Sequence, residues 1–348
     1  MDNIENLYKL TAAGWGSSPD PVKLAEVLRK IYDFGYNGAP AEVYQMCERL
    51  LHKNENPAVN DSGLDLLLNL VSKRWGDLSD QVKETIFRDA HLIIASAAKT
   101  NEWSDKSKTA MIVSNLIGKG GTVAWDKLVS ASESYLKCDK IMAEKTIITC
   151  LSEVITIPND GSKDKRIRIM KTQNWDWLPG TLFPLLLKHL ADSDLAQVDA
   201  AQQHYELTSC IANTVSAYAQ WGEVKHLAKE MYWIKSCKQM LGYQGLFPAA
   251  FAYLSGICMR LQPGDCDHCV LLYIFNNIFD LLKTALVSEL RQTVCSSLIS
   301  VKKTLGVDFE QLEEAVTESL ETMKVDGSLT DTEYEQLSNG LSCDFMDI

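Results

Sequence analysis

The sequence has few residues that break a helix. Nine prolines and 19 glycines are spread over 348 positions. An all-β chain needs a turn about every ten residues, and this supply is too small for one. Long apolar runs are missing too. A stretch such as Val270 to Phe275 is far too short to span a bilayer, so no membrane insertion is expected. The opening MDNIENLYKL holds no basic stretch followed by an apolar one, which reads as the absence of a secretory signal. Positive charge is scarce. Thirty-four Lys and Arg face 46 Asp and Glu, a formal net charge of -12. That balance favours basic partners and argues against a non-specific nucleic-acid coat, because counterion release needs clustered cations.

Signatures of catalysis are missing as well. Histidines 52, 91, 189, 204, 226 and 268 are scattered, and none stands in an H-E-x-x-H or nucleophile-elbow setting. Gly118-Lys-Gly-Gly looks superficially like a phosphate loop. It lacks the G-x-x-x-x-G-K-[ST] spacing and follows a helix rather than a strand, so it reads as a turn between helices. No enzyme, cofactor or metal is expected.

What is present is helical periodicity over a chain with 46% hydrophobic residues, enough for a sizeable core. A helix opens around Pro21 and runs through Leu24, Val27, Leu28 and Ile31 to Tyr32 and Phe34. Leu64, Leu67, Leu68, Val71 and Trp75 form one stripe, and Ile86, Ala90, Ile93, Ile94 and Ala97 form another. Met111, Ile112, Asn115 and Leu116 make a shorter one. Ile141, Ile147, Ile148, Leu151 and Val154 follow, then Leu182, Leu185, Leu186 and His189 after Pro179-Gly180. Leu271, Ile274, Phe275, Ile278, Leu281, Leu282 and Ala285 give the strongest stripe. Breaks are expected at Gly35 to Pro40, Asp77 to Ser79, Gly118 to Gly121, Pro158 to Gly161, Gly242 to Gly245 and Pro263-Gly264. Their spacing of one helix or one hairpin, with a period of about 40 residues, predicts an all-α solenoid of HEAT-type helical hairpins. It would run over 1–348, with 306–348 as capping helices. A compact multi-helix domain is the alternative.

Three local patterns have a chemical reading and a structural one. Cys266-Asp-His-Cys269 is a tight cluster of ligand types without a second ligand pair, which favours a turn over a zinc site. The ten cysteines read as reduced and mostly buried thiols. Asp326 to Glu333 matches the second half of a calcium loop, but Lys324 falls at a ligand position, and Thr330-x-x-Glu333 reads instead as a capping box. Lys163, Lys165, Arg166, Arg168 and Lys171 form the dense basic run. They are the candidate contacts to the phosphates of a structured RNA, set against a solvated loop without aromatics for stacking. Trp175 and Trp177, just beyond it, are expected to pack between helices.

Leu64-Asp-Leu-Leu-Leu-Asn-Leu-Val-Ser-Lys-Arg74-Trp75-Gly-Asp-Leu-Ser79 resembles the early repeats of the exportin family of karyopherins, where a leucine-rich helix ends in Arg-Trp and a short turn. Lys106 to Lys119 with Trp125-Asp-Lys-Leu128 resembles the next hairpin, and Cys210 to Trp221 a later one. Among the branches the likeness points to exportin five, called HASTY in plants, over residues 20 to 290. Where the family carries a Lys-Arg-Glu-Trp-Pro-like stretch, this chain reads Gly118-Lys-Gly-Gly-Thr-Val-Ala-Trp125 and keeps only the final tryptophan. The resemblance implies a nuclear transport receptor that shuttles between nucleus and cytoplasm. Its partners would be Ran-GTP, a cargo (structured small RNA such as pre-microRNA, or protein) and nuclear pore proteins. It further implies that this chain corresponds to the first arch of a longer receptor, whose early repeats contact Ran. A HEAT-type scaffold or adaptor without Ran dependence is the rival reading.

Overall fold

The computed structural model describes residues 2–14, 20–52, 57–100, 102–120, 122–138, 140–156, 175, 177–195, 197–224, 232–262 and isolated positions beyond 295. Among these residues every regular element is a helix. They are α1 (Asp2–Gly14), α2 (Pro21–Asn37), α3 (Pro40–His52), α4 (Pro57–Lys73), α5 (Asp80–Ala97) and α6 (Trp103–Gly120). They continue with α7 (Thr122–Tyr135), α8 (Ile141–Ile155), α9 (Trp177–Leu195), α10 (Val198–Ala219), α11 (Tyr232–Met240) and α12 (Phe247–Cys258). None is long and apolar enough to cross a membrane.

Local chemistry sets several ends. Asp20 caps α2 by accepting a hydrogen bond from the Val22 amide at 3.0 Å, and Pro21 occupies the first turn, where its missing N–H costs nothing. Ser79 caps α5 from the Val82 amide at 3.4 Å. Two breaks and one helix start differ from the expected ones. Helix α2 continues through Gly35 to Asn37, so the turn shrinks to Gly38 and Ala39. Gly35 serves close approach, because a Cβ there would lie 2.7 Å from Leu66 Cδ2. Helix α6 runs on through Gly118 to Gly120, and Pro179-Gly180 lie inside the first turn of α9.

The chain divides into two compact units, 1–174 with 188–214, and 175–187 with 215–348. In the first, helices pair as α1/α2, α3/α4, α5/α6 and α7/α8, and the hairpins stack in order. First helices α1, α3, α5 and α7 touch in succession and form one layer. Second helices α2, α4, α6 and α8 form the other. This is an all-α, HEAT-type solenoid arrangement, in which each hairpin covers the apolar face of the next.

The stacking explains why the buried arcs are wide. Helix α4 meets α2, α3 and α6, and it buries Val59, Leu64, Leu66, Leu67, Leu70 and Val71. Helix α6 meets α4, α5, α7 and α8. Its core residues are Ala110, Ile112, Val113, Leu116 and Ile117, whereas Met111 of the expected stripe is 40% exposed. A helix with neighbours on three sides has no single stripe for a pattern to mark.

The second unit is built on aromatics. Trp175 is buried, with its ring centroid 5.7 Å from Tyr218 and 5.5 Å from Trp221. Phe183 meets Tyr253 edge-on at 5.0 Å. Arg260 reaches the carbonyls of Ala219 and Gly222, and Gln220 donates to Ala252 O at 2.7 Å. Helix α12 approaches so closely that a Cβ on Gly256 would lie 2.8 Å from Ala219 O.

Candidate functional site

The second-helix layer of the first unit carries two open clefts separated by a charged ridge. The first cleft, of about 350 Å³, lies between α2 and α4. Leu28, Ile31 and Leu66 supply its apolar wall, and Tyr32, Tyr36 and Lys73 its rim. The Lys73 ammonium donates to Tyr36 Oη at 2.6 Å, and the Tyr32 and Tyr36 rings lie 4.6 Å apart. The hydrogen bond from Lys73 holds the Tyr36 phenol below its ordinary pKa, and the bond to Tyr36 raises Tyr32.

The ridge is Lys108 of α6, which makes ion pairs with Asp61 and Asp65 of α4, both at 2.7 Å. Ser104 Oγ also donates to Asp61 at 2.8 Å. Partial burial works against the Lys108 ammonium, but its bonds to the two carboxylates outweigh that and hold its pKa above the ordinary value.

The second cleft, of about 440 Å³, is lined by Trp103 of α6, Lys145 of α8, and Gln202, Tyr205, Glu206, Ser209, Cys210 and Asn213 of α10. Lys145 Nζ lies 2.7 Å from Glu206 Oε2 and 5.6 Å from the centre of the Trp103 ring. Trp103 is 55% exposed. The Lys145 contact holds the Glu206 carboxyl below its ordinary pKa. An exposed tryptophan beside a tyrosine and an ion pair is what protein interfaces use as anchors. This face therefore has the chemistry of a docking surface: aromatic side chains, side-chain amides and charges of both signs.

Two sequence features gain a physical role beneath this face. Arg74 donates to the Gly35 carbonyl at 2.8 Å and so ties the end of α4 to α2. Trp75 meets Phe87 of α5 edge-on at 5.3 Å. The Arg-Trp pair thus locks one hairpin to its neighbours on both sides.

Sequence comparison now bears on the face. The chain is 24% identical over 306 residues to Protein HASTY 1 of Arabidopsis thaliana, a match that covers 83% of this chain and 25% of that protein. The chain is thus similar over most of its length to a protein of the exportin family. It spans about a quarter of the length of this curated relative. No family model matches it. Among solved structures, an engineered protein aligns over 98% of this chain and 78% of its own, with 14% identity and a TM-score of 0.45. A designed armadillo repeat protein aligns over 74% of this chain and 99% of its own, with 12% identity and a TM-score of 0.40.

The candidate RNA contacts Lys163, Lys165, Arg166, Arg168 and Lys171 lie outside the described residues. So do Cys266 to Cys269, the stripe from Leu271 to Ala285, and all of 306–348 except isolated positions. Sequence reasoning missed the two clefts, because their residues come from helices far apart in the chain, as Trp103, Lys145 and Gln202 are. It also missed two buried polar clusters. Lys106 is 1% exposed, and its ammonium donates to Ala97 O at 3.0 Å, Thr100 O at 2.8 Å, Met142 O at 3.3 Å and Thr146 Oγ1 at 2.9 Å. It seals the C-terminal carbonyls of α5 against α6 and α8, where a helix end favours a cation. Burial, with the charge of Lys145 adding to it, pulls its pKa down to about 8. The second cluster joins His189, His204 and Glu144, which no spacing in the sequence connects.

Proposed function

We propose that this chain works as part of an exportin-type nuclear transport receptor, a binding protein rather than an enzyme, and that the second-helix face of its first unit is where Ran-GTP docks. The observation that carries the reading is the pair of clefts around Trp103 and Tyr36, flanking the Lys108 ridge, on a chain related to HASTY 1. The mixed charges of the face and the net charge of -12 suit a partner with basic surface. Structured small RNA such as pre-microRNA is the cargo class the resemblance implies, with Lys163, Lys165, Arg166, Arg168 and Lys171 as the phosphate contacts. Protein cargo and nuclear pore proteins complete the partner set, and the chain shuttles between nucleus and cytoplasm.

The test is retention of purified chain on Ran loaded with GTP or with GDP, at near-physiological salt. Selective retention of the GTP form is expected. Trp103→Ala combined with Lys145→Ala should weaken it at least about tenfold, since exposed aromatic anchors typically cost 2 kcal/mol or more when truncated, roughly a 30-fold change in affinity. Equal retention of both nucleotide forms, or of neither, sinks the Ran-dependent reading and leaves a HEAT scaffold.

A further inference from the structure

Two histidines and an aspartate converge where α9 and α10 pack on α8. His189 Nδ1 lies 2.8 Å from His204 Nδ1, and His204 Nδ1 lies 4.0 Å from Asp192 Oδ2. The His189 and His204 nitrogens and an Asp192 oxygen all fall within 4.8 Å of one another. His189 is 1% exposed, and its other nitrogen, Nε2, lies 3.0 Å from Glu144 Oε2. Glu144 is equally buried, and its second oxygen, Oε1, has no hydrogen-bond partner.

We infer that His189, His204 and Asp192 form a zinc site, with Glu144 as the outer carboxylate that orients His189. Four observations support this. Glu144 accepts the proton of His189 Nε2, which fixes the tautomer and leaves the Nδ1 lone pair facing His204. A carboxylate behind a histidine is the usual outer partner of a zinc ligand. The spacing suits the ion after small adjustments. Ligand nitrogens 2.0–2.1 Å from a tetrahedral zinc lie about 3.4 Å apart. The 2.8 Å contact therefore opens, and the 4.0 Å contact closes, by about the same amount. The buried Glu144 carboxylate needs positive charge, and among the described residues the group facing it is the neutral His189 imidazole. A divalent ion on the far side of that ring supplies the charge. Access is open on one side, because the Asp192 side chain is 40% exposed and that of His204 17%.

Three protein ligands leave the fourth position to water. Without metal, His204 Nδ1–H donates to His189 Nδ1. Zinc takes both Nδ1 lone pairs, and the His204 proton moves through solvent to that ring's Nε2, so both imidazoles stay neutral. The ion would pin Asp192 and His189 of α9 to His204 of α10, and through Glu144 to α8. The site is separate from the second cleft and does not depend on Ran.

The test uses the full chain, stripped with EDTA and titrated with zinc against a chromogenic chelator. One zinc per chain is expected in excess of any held elsewhere. His204→Gln and Asp192→Asn, both partly exposed positions, should each lose that equivalent, with affinity down at least about 100-fold and the far-ultraviolet circular dichroism unchanged. Glu144→Gln should weaken it about 10- to 100-fold, the usual cost of an outer-shell partner. Cys266→Ser with Cys269→Ser should leave it intact. Cobalt in the site should show visible bands of four-coordinate ligation and no thiolate charge transfer near the ultraviolet. No zinc retained by the stripped chain, or the same zinc retained by His204→Gln, overturns the proposal. A cobalt spectrum abolished only by the two cysteine changes also overturns it.

Discussion

Lys106 offers a direct probe of the first unit's core. Its ammonium is buried among the carbonyls of Ala97, Thr100 and Met142 and the Thr146 hydroxyl. Burial lowers its pKa to about 8 from an ordinary 10.5. The unfolded chain keeps this proton throughout the interval between those values and the folded chain releases it, so the unfolded state binds more protons there. Stability from this group therefore rises as pH climbs through the window. Between pH of about 7 and about 9.5 the gain comes to about 2 kcal/mol. Lys106→Met removes the titration. It also leaves the Ala97 and Thr100 carbonyls without the ammonium, at about 1–3 kcal/mol each, partly offset by relief of the buried charge. The difference in stability between the parent chain and Lys106→Met should thus grow by about 2 kcal/mol over that range. Thiols and tyrosines that titrate in the same window are common to both proteins and cancel in the difference. Urea unfolding followed by circular dichroism measures it. Carbon-13 resonances at lysine Cε report the titration itself, and one lysine, absent from the Met variant, should have its midpoint near 8. A difference that stays flat with pH, or no lysine that titrates apart from the rest, would refute the buried-ammonium account.

Two further outcomes follow from packing. A Cβ on Gly63 would lie 2.9 Å from Leu50 Cβ and 3.0 Å from Leu51 Cγ, whereas one on Gly118 meets nothing within 4 Å. Gly63→Val should therefore cost about 1–3 kcal/mol by forcing α3 from α4, and Gly118→Ala should gain about 0.5–1 kcal/mol. Thermal melting of the pair checks both signs, and equal shifts would show that α3 and α4 are not in close contact. Burial pushes the Cys150 and Cys237 thiols up to about 12 and raises Cys47 as well, so their thiolates are scarce at neutral pH. Peptide mapping after brief alkylation should find these three unmodified and Cys138, half-buried, modified ahead of them. Labelling of Cys47 as fast as Cys138 would contradict the closed core.

Where a pattern depends on neighbours in the chain, the sequence was enough. Helical stripes, sparse breakers and a repeat of about one hairpin declared an all-α repeat protein, because amphipathic spacing is a property of single helices. Asp20-Pro21 and Ser79 marked helix starts for the same reason. The Arg74-Trp75 pair marked the family resemblance, although what it does, bonding Gly35 and meeting Phe87, appears only when α2, α4 and α5 are assembled. Breaks were misjudged where glycine served packing instead of turning, as at Gly35.

Tertiary structure alone decided which polar side chains meet. Trp103, Lys145 and Glu206 stand on three helices, and so do Glu144, His189 and His204. In a stack of hairpins each helix touches the one two places along, so groups distant in sequence share a cleft or a buried cluster. A one-dimensional spacing rule sees partners on one helix or in one loop. It has no term for residues that only the stacking of hairpins brings within hydrogen-bond reach.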